Sequence, residues 1–291
     1  MSKPSVIAPL LVRDAPVLVF GGPYSNRQAT EALLAEAARR QIPGENIICT
    51  GDVVAYAADP QACCDRVRTS GMTVVMGNCE EALAAGADDC GCGFDANSEC
   101  AALSSQWYAY ALSQVDRETC DWMATMPRRV DLRIGKATLA VIHGGNREIA
   151  RFLFASEDET LRQELDWAGA DGVIAGHCGL PFTRVLDGRL WHNPGVIGMP
   201  AHDSTPRVWC SVLKPDADGL RIEPVALAYD HAQAAARMRS EGLPEGYAAC
   251  LETGIWPSED MLPPTERASG GQPLNLQPLL WPWPTRRNDA A

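Results

Sequence analysis

Four short apolar runs, each ending in a side chain that can bind a metal ion, constrain the fold of this chain most strongly. The runs end at Asp52, Asn78, His143 and His177. In an open α/β sheet, reactive groups collect outside the carboxyl ends of the strands. A Gly-Asp turn or a lone histidine is an ordinary structural feature when it stands alone. Four of them in order, each behind a β-rich run, predict one shared site at a sheet edge.

The donor atoms of these four side chains predict the kind of metal. A carboxylate oxygen, an amide oxygen and two imidazoles form a mixed oxygen and nitrogen set. Such a set suits Zn, Mn, Fe(II) or Ni better than the soft metals that thiolates select. The sequence therefore predicts a mononuclear site holding one divalent transition metal ion per chain.

These residues resemble the signature of the calcineurin-like metallophosphoesterases, which runs Asp-x-His, Gly-Asp, Gly-Asn-His-Asp/Glu, His and Gly-His-x-His. The resemblance covers roughly residues 16–228 and is closest to small bacterial phosphodiesterase-like members, because residues 51–60 and 193–195 also have counterparts there. It implies a metallophosphoesterase-like α/β fold. Together with the order of the predicted strands and helices, this resemblance leads us to expect a four-layer α/β/β/α sandwich of two mixed sheets flanked by helices.

The chain departs from the family signature at four positions. Gly22 and Tyr24 stand where the family has Asp and His, and Gly179 stands where it has the last His. By this resemblance, the three lost ligands all belong to one metal of the family's pair, whereas the four side chains of the other metal are retained. Cys79 replaces the family's catalytic histidine. The resemblance thus implies a working site with a single metal.

Tyr24 and Cys79 are the candidate catalytic residues, because they occupy positions of lost family groups. Tyr24 could donate a hydrogen bond to a substrate oxygen, which its usual pKa of about 10 favours, or could bind a ferric ion as phenolate. Cys79 could be a proton donor, a nucleophile or a small hydrophobic residue. The residues that bind the rest of the substrate are not identified by the sequence.

Two classes of function follow. In the first, the protein is a metal-dependent hydrolase, a phosphoesterase acting on a small phosphate ester with a mononuclear or reorganised metal site. In the second, it is a non-catalytic relative that binds a metal or small ligand and acts as a sensor or regulator. The complete four-residue set favours the enzyme.

Charge and composition limit the partners. A formal charge of −12 and a pI near 4.9 argue against non-specific binding to nucleic acid or anionic membranes, which requires basic patches. We therefore expect a small-molecule substrate. The sequence has no 18-residue apolar run and no signal-peptide pattern, and its eleven cysteines form an odd number. These features predict a cytoplasmic protein with free thiols.

The chain is predicted to have three parts. Residues 1–15 form an arm, residues 16–228 the metallophosphoesterase-like domain, and residues 229–291 a helix followed by a proline-rich strap. The prolines of the strap are expected to exclude regular helix and central strand. The strap would pack along the domain or against a second copy in a homo-oligomer. Within the domain, residues 85–103 form a Cys/Gly-rich loop, whose Cys90, Cys92 and Cys100 could bind a second metal, although a lid over the pocket is favoured.

Local patterns predict several details that the fold can test. Asn26 and Asp59 should cap the helices that follow them. His192 lies on a predicted strand and could point into the pocket or away from it. His202 is expected at the surface, and His231 is expected to start the last helix as a capping or solvent-facing group.

Overall fold

Two mixed β-sheets form the centre of the molecule. The structure is a computed structural model that describes residues 9–93 and 99–285. Residues 1–8 of the predicted arm, residues 94–98 of the Cys/Gly-rich loop and residues 286–291 of the strap lie outside the described residues. No helix within the described ranges is long and apolar enough to cross a membrane.

The strands and helices follow one another along the whole described chain. The strands are β1 (Leu10–Arg13), β2 (Val17–Phe20), β3 (Ile47–Cys49), β4 (Thr73–Val74), β5 (Arg129–Ile134), β6 (Ala137–Ile142), β7 (Gly172–Ile174), β8 (Phe182–Leu186), β9 (Arg189–Asn193), β10 (Val208–Pro215), β11 (Gly219–Leu227) and β12 (Leu279–Pro282). The helices are α1 (Arg27–Arg39), α2 (Pro60–Ser70), α3 (Asn78–Ala85), α4 (Glu99–Gln114), α5 (Arg117–Met123), α6 (Asp158–Ala168), α7 (His231–Ser240), α8 (Glu245–Thr253) and α9 (Pro264–Ser269). One sheet has the order β1-β5-β6-β7-β9-β8 and the other β12-β11-β10-β2-β3-β4.

Strand β2 demonstrates how the layers are built. Its four residues are fully buried, and successive side chains point to opposite faces of the sheet. Val17 and Val19 pack between the two sheets, whereas Leu18 and Phe20 pack with the helices on the outer face. Leu161 of α6 packs in a separate core on the outside of the other sheet. The predicted α/β/β/α sandwich of two mixed sheets is therefore confirmed.

The predicted arm contributes a strand. Residues of β1 pair in parallel with β5, with Leu10 opposite Asp131 and Arg13 opposite Ile134. Strands β5 and β6 form a hairpin, with Gly135 at a positive φ in its turn. β1 therefore pairs with the outer side of β5 and becomes the edge strand of this sheet.

One of the two predicted helix caps is confirmed. Asn26 Oδ1 accepts a hydrogen bond from the backbone N–H of Ala29 at the start of α1. The prediction for Asp59 is wrong, because its side chain makes no capping hydrogen bond to α2. Its carboxylate instead lies 3.4 Å from the guanidinium of Arg237 on α7. That ion pair links the start of α2 to helix α7.

The prediction that prolines exclude regular helix from the C-terminal strap is wrong. Helix α8 begins directly after Pro244, and α9 begins with Pro264. The first residues of a helix need no hydrogen-bonded N–H, so proline there is compatible with a helix. Further on, β12 pairs with β11 as an edge strand, a position that tolerates proline.

Candidate metal centre

Four side chains that follow strands β3, β4, β6 and β7 converge on one point. Nε2 of His143 lies 3.0 Å from Asn78 Oδ1, 2.8 Å from His177 Nδ1 and 3.3 Å from Asp52 Oδ2. His177 Nδ1 lies 4.0 Å from the same oxygen of Asp52. All four side chains are buried, with no more than 6 % of any residue exposed. The structure therefore brings together the four residues that the sequence singled out.

Hydrogen bonds around the cluster leave the lone pairs of its donor atoms facing one another. Nδ1 of His143 donates to the carbonyl oxygen of Thr50 at 2.7 Å, which leaves Nε2 with a free lone pair. Nδ2 of Asn78 donates to the carbonyl oxygen of Cys90 at 2.8 Å, so Oδ1 of Asn78 faces the cluster. Acceptor atoms that approach one another this closely fit a shared cation. The mixed oxygen and nitrogen donors fit a divalent transition metal.

Burial and neighbouring charges both shift the pKa values of the ionisable side chains in the cluster. Burial opposes ionisation of Asp52, but His143 and His177 lower its pKa below the usual value. Burial also disfavours a charged His143, but Asp52 raises the pKa of that imidazole. For His177, burial and the neighbouring His143 lower the pKa to about 3. At neutral pH the cluster therefore contains an ionised carboxylate and a neutral His177, both suited to bind a cation.

Glu80 holds the turn that carries Asp52, and the sequence analysis did not identify it. Its buried carboxylate accepts hydrogen bonds from the backbone N–H groups of Asp52, Val53 and Gly77 at 2.8, 2.8 and 2.9 Å. Asp52 has a φ of 56°, a left-handed conformation that is uncommon for residues other than glycine. The carboxylate thus stabilises a strained turn. The available signal was the glutamate at the third position of α3, whose carboxylate accepts a hydrogen bond from the backbone N–H of the N-cap residue Gly77.

A small pocket of about 50 Å³ adjoins the cluster. Asp52 and His177 are exposed on its floor, and apolar or aromatic side chains form most of its wall. Part of that wall comes from Tyr247, Trp256 and Met261 in the C-terminal region. Asp52 and His177 of the cluster thus line this pocket, and His143 lines a separate cavity.

Comparison with known proteins identifies the family. The profile of the calcineurin-like phosphoesterase superfamily domain matches residues 24–215, about two thirds of the chain.

The chain belongs to the calcineurin-like phosphoesterase superfamily.

Individual relatives support the same fold. The chain is 23 % identical over 246 residues to an uncharacterized protein of Methanocaldococcus jannaschii, covering 79 % of this chain and 94 % of that protein. A metallophosphoesterase structure from Sphaerobacter thermophilus is similar with a TM-score of 0.66 and 22 % identity, over 84 % of this chain and all of that one. A hypothetical protein from Pyrococcus horikoshii is similar with a TM-score of 0.69 and 17 % identity, over the same shares. The matches show the fold, and Asp52, His143 and His177 form a candidate metal-binding triad within it.

The Tyr24 ring fills the space beside Gly22. A Cβ atom placed on Gly22 would lie 2.2 Å from Cε1 of the Tyr24 ring, so no side chain fits at position 22 while Tyr24 adopts this conformation. Burial, and then Asp52, raise the pKa of Tyr24 well above its usual value. The hydroxyl therefore stays protonated at neutral pH and can serve as a hydrogen-bond donor on the pocket wall.

Cys79 lies beside the cluster but is not among the described residues that line the pocket. Its backbone N–H donates to Asp52 Oδ1 at 3.2 Å, and its sulfur lies 3.5 Å from Asn78 Nδ2. Burial raises the pKa of the Cys79 thiol well above its usual value. Burial therefore favours the uncharged thiol, and in that form Cys79 behaves as a small hydrophobic residue.

The Cys/Gly-rich loop reaches the same pocket. Cys92 and Cys100 line it, and Cys90 packs behind them with its sulfur 2.6 Å from that of Cys92. Within residues 9–93 and 99–285, the only group of three or more His, Cys, Asp or Glu side chains with ligand atoms all within 4.8 Å is Asp52, His143 and His177. The described part of the loop thus contributes to the pocket wall.

The other three histidines lie away from the cluster. His192 is buried, with its Nδ1 3.0 Å from Thr183 Oγ1, and it faces a different cavity. The prediction that His202 is at the surface is wrong, because Nδ1 of this buried ring accepts a hydrogen bond from Trp256 N–H. His231 begins α7, but Asp230 provides the cap, and two more helices follow.

Proposed function

We propose that this protein is a phosphoesterase that hydrolyses a small phosphate ester with one divalent metal ion per chain. The convergence of one carboxylate, one amide oxygen and two imidazoles beside an open pocket supports the proposal. The pocket lies directly beside the cluster, and a chain charge of −12 disfavours nucleic acid as a substrate.

Asp52, Asn78, His143 and His177 would hold the metal ion. A divalent ion bound there supplies Lewis acidity toward water and toward a phosphoryl oxygen. Thr50 orients His143 through its carbonyl oxygen, and Glu80 holds the backbone of Asp52. Such hydrogen bonds to ligands keep the donor atoms in place and raise metal affinity.

Tyr24 is the proposed hydrogen-bond donor to the substrate. Its protonated hydroxyl group is on a ring that lines the pocket above the cluster. A donor aimed at developing negative charge on a phosphoryl oxygen stabilises the transition state, and its loss typically lowers turnover by about 10²-fold or more. Cys79 is proposed to support Asp52 through its backbone N–H.

Two observations support one metal ion rather than two. The Tyr24 ring occupies the space that a ligand at position 22 would need. At the other altered position, a Cβ on Gly179 would lie 3.7 Å from the ring of Trp256, and its φ of 76° is unfavourable for a residue with a side chain. The space for a side chain at position 22 is thus filled, and the backbone conformation at position 179 disfavours a residue other than glycine.

Elemental analysis of the purified full-length protein, combined with an assay on phosphomonoesters and phosphodiesters, tests the proposal. We expect one equivalent of bound metal and metal-dependent hydrolysis. His177→Ala should lower bound metal at least about tenfold, because it removes a ligand rather than an outer hydrogen bond. His231→Ala is the matched control and should retain the metal, since His231 lies on α7.

Three results would contradict the proposal. Two tightly bound equivalents would show that a second site exists, and equal metal loss in both variants would mean that the centre lies elsewhere. One bound metal without hydrolysis of any phosphate ester would make the protein a non-catalytic metal-binding relative.

A further inference from the structure

A cavity of about 260 Å³ opens beside His143, separate from the small pocket of about 50 Å³. Arg128, Arg129 and Arg147 line this cavity, together with Trp167. The described residues that line it include no aspartate or glutamate. Three positive side chains around one cavity, in a chain with a net charge of −12, favour a negatively charged ligand.

Arg147 contributes a guanidinium that has no ion pair and no hydrogen-bond acceptor within residues 9–93 and 99–285. The residue is exposed, and its guanidinium carbon lies 3.8 Å from the centre of the Trp167 ring. Stacking covers one face of the guanidinium, whereas its N–H groups lie along the edge. Arg147 can therefore bind an oxyanion without first breaking an ion pair.

The loop that carries Arg147 is held in place by Glu164, a fully buried residue of α6. Oε2 of Glu164 accepts hydrogen bonds from the backbone N–H and from Nδ2 of Asn146, at 2.7 and 2.8 Å. Oε1 of Glu164 lies 3.1 Å from Nη1 of Arg151, which balances the charge of the carboxylate. Trp167 lies on the same helix. One helix thus positions both the ring under Arg147 and the backbone beside it, which lowers the entropy lost when a ligand binds.

The other two arginines of the cavity have partners but keep donors for a ligand. Nε of Arg129 lies 2.8 Å from Asp131 Oδ1, and Nη1 donates to the carbonyl oxygen of Ala168 at 2.9 Å. These contacts use two of the five N–H groups of a guanidinium. Arg128 pairs with Glu81, but its side chain is 56 % exposed. Exposed ion pairs contribute little to stability, so a bound anion can take the place of Glu81.

We propose that this cavity binds a small dianion, phosphate or a dicarboxylate, at a site separate from the metal ion. Guanidinium groups match both kinds of oxyanion through paired N–H donors. With Glu81 displaced, the three arginines and Asp131 have a net charge of about +2 by simple addition, which a dianion neutralises. The site uses none of the chemistry of hydrolysis, so the inference goes beyond the proposed function.

The first test compares anions of different charge. Inorganic phosphate, malonate and acetate are titrated into the purified full-length protein at pH 8 and constant ionic strength, and dissociation constants are taken from calorimetry. The two dianions should bind at least about tenfold more tightly than acetate, because they neutralise one more positive charge. The tighter of phosphate and malonate then identifies the ligand class. Equal binding of acetate, or no binding of either dianion, would overturn the proposal.

The second test changes the cavity in two directions. Arg147→Gln removes a charged donor and should weaken binding of the preferred dianion by about tenfold or more. Glu81→Gln removes the carboxylate that competes for Arg128 and should tighten binding by about two- to fivefold. Arg133→Gln is the matched control, since this exposed arginine of β5 lies outside the cavity, and it should bind like the wild type. Equal dissociation constants in wild type and Arg147→Gln would overturn the proposal.

The third test separates this site from the metal centre. His177→Ala removes a proposed metal ligand and should bind the dianion within about threefold of the wild type, whereas Arg147→Gln should retain its metal. Dianion binding that is lost in His177→Ala and unchanged in Arg147→Gln would place the anion on the metal ion and overturn the proposal. A protein that hydrolyses no phosphate ester but shows the predicted dianion binding would refute only the proposed enzymatic function.

Discussion

At the scale of single residues, strand ends predicted which four side chains converge. Asp52, Asn78, His143 and His177 were chosen because each follows a β-rich run. The strands β3 and β4 belong to one sheet and β6 and β7 to the other, so the cluster lies where strand ends of both sheets meet. Glu80 was missed because two of its partners, the backbone N–H groups of Asp52 and Val53, belong to a turn 28 and 27 residues away, which its local position near Gly77 does not reveal. His202 was misjudged because its burial depends on the C-terminal segment folding back over it.

Replacing Glu80 by glutamine should weaken both the fold and the metal centre. The amide nitrogen of glutamine is a donor and cannot accept from Asp52, Val53 and Gly77, so at least one buried N–H loses its acceptor. We expect a loss of roughly 1–3 kcal/mol in the free energy of unfolding and about 10- to 100-fold in metal affinity. Denaturant unfolding and metal titration measure the two effects.

The neighbouring Glu81 provides a matched control. It lies on the solvent side of α3 and contacts Arg128 at the surface. Glu81→Gln should change unfolding free energy by less than about 0.5 kcal/mol and leave metal affinity unchanged. Equal effects of the two substitutions would mean that Glu80 has no special role in holding the Asp52 turn.

At the scale of elements, local sequence patterns account for many of the regular strands and helices. Strand β2, the hairpin of β5 and β6 and helix α6 follow from local patterns. The C-terminal region was predicted less well, because proline was read only as a helix breaker, whereas here it begins helices. Edge strands such as β1 also escaped prediction, since pairing with a distant strand determines them.

Strand β12 should be anchored by one side chain. Trp281 is 1 % exposed, packs between the sheets, and donates from Nε1 to the carbonyl oxygen of Gly188 at 2.9 Å. Trp281→Ala should therefore lower the free energy of unfolding by about 3–5 kcal/mol. Leu280, the preceding residue, is 38 % exposed, so Leu280→Ala should cost less than about 1 kcal/mol. Similar midpoints for both variants in urea unfolding would contradict this anchoring role.

At the scale of the whole molecule, acid should destabilise the fold through His192. Burial lowers the pKa of this imidazole to about 3 in the folded protein, whereas the unfolded value is about 6.5. Between these values the unfolded chain binds more protons, so stability is lost as pH falls below about 6.5, by at most about 1.4 kcal/mol per pH unit. Above pH 6.5 the residue contributes no pH dependence.

The measurement is the midpoint of urea unfolding between pH 8 and pH 5 for wild type and His192→Gln. The variant should lose less stability on acidification than the wild type, while His231→Gln should follow the wild type. Parallel pH profiles for wild type and His192→Gln would mean that His192 is not the source of the acid sensitivity.

The position of β2 in its sheet has a consequence for how the chain folds during synthesis. One edge of β2 pairs with β3, which follows it by fewer than thirty residues, but the other edge pairs with β10, with Val19 opposite Ser211. Until the ribosome has released β10, the apolar strand has an unsatisfied row of backbone groups, a template for pairing with other nascent chains. Contacts this distant in sequence form slowly. We therefore expect the isolated N-terminal half to aggregate. The completed chain should become protected from aggregation only late, when β10 pairs with the free edge of β2.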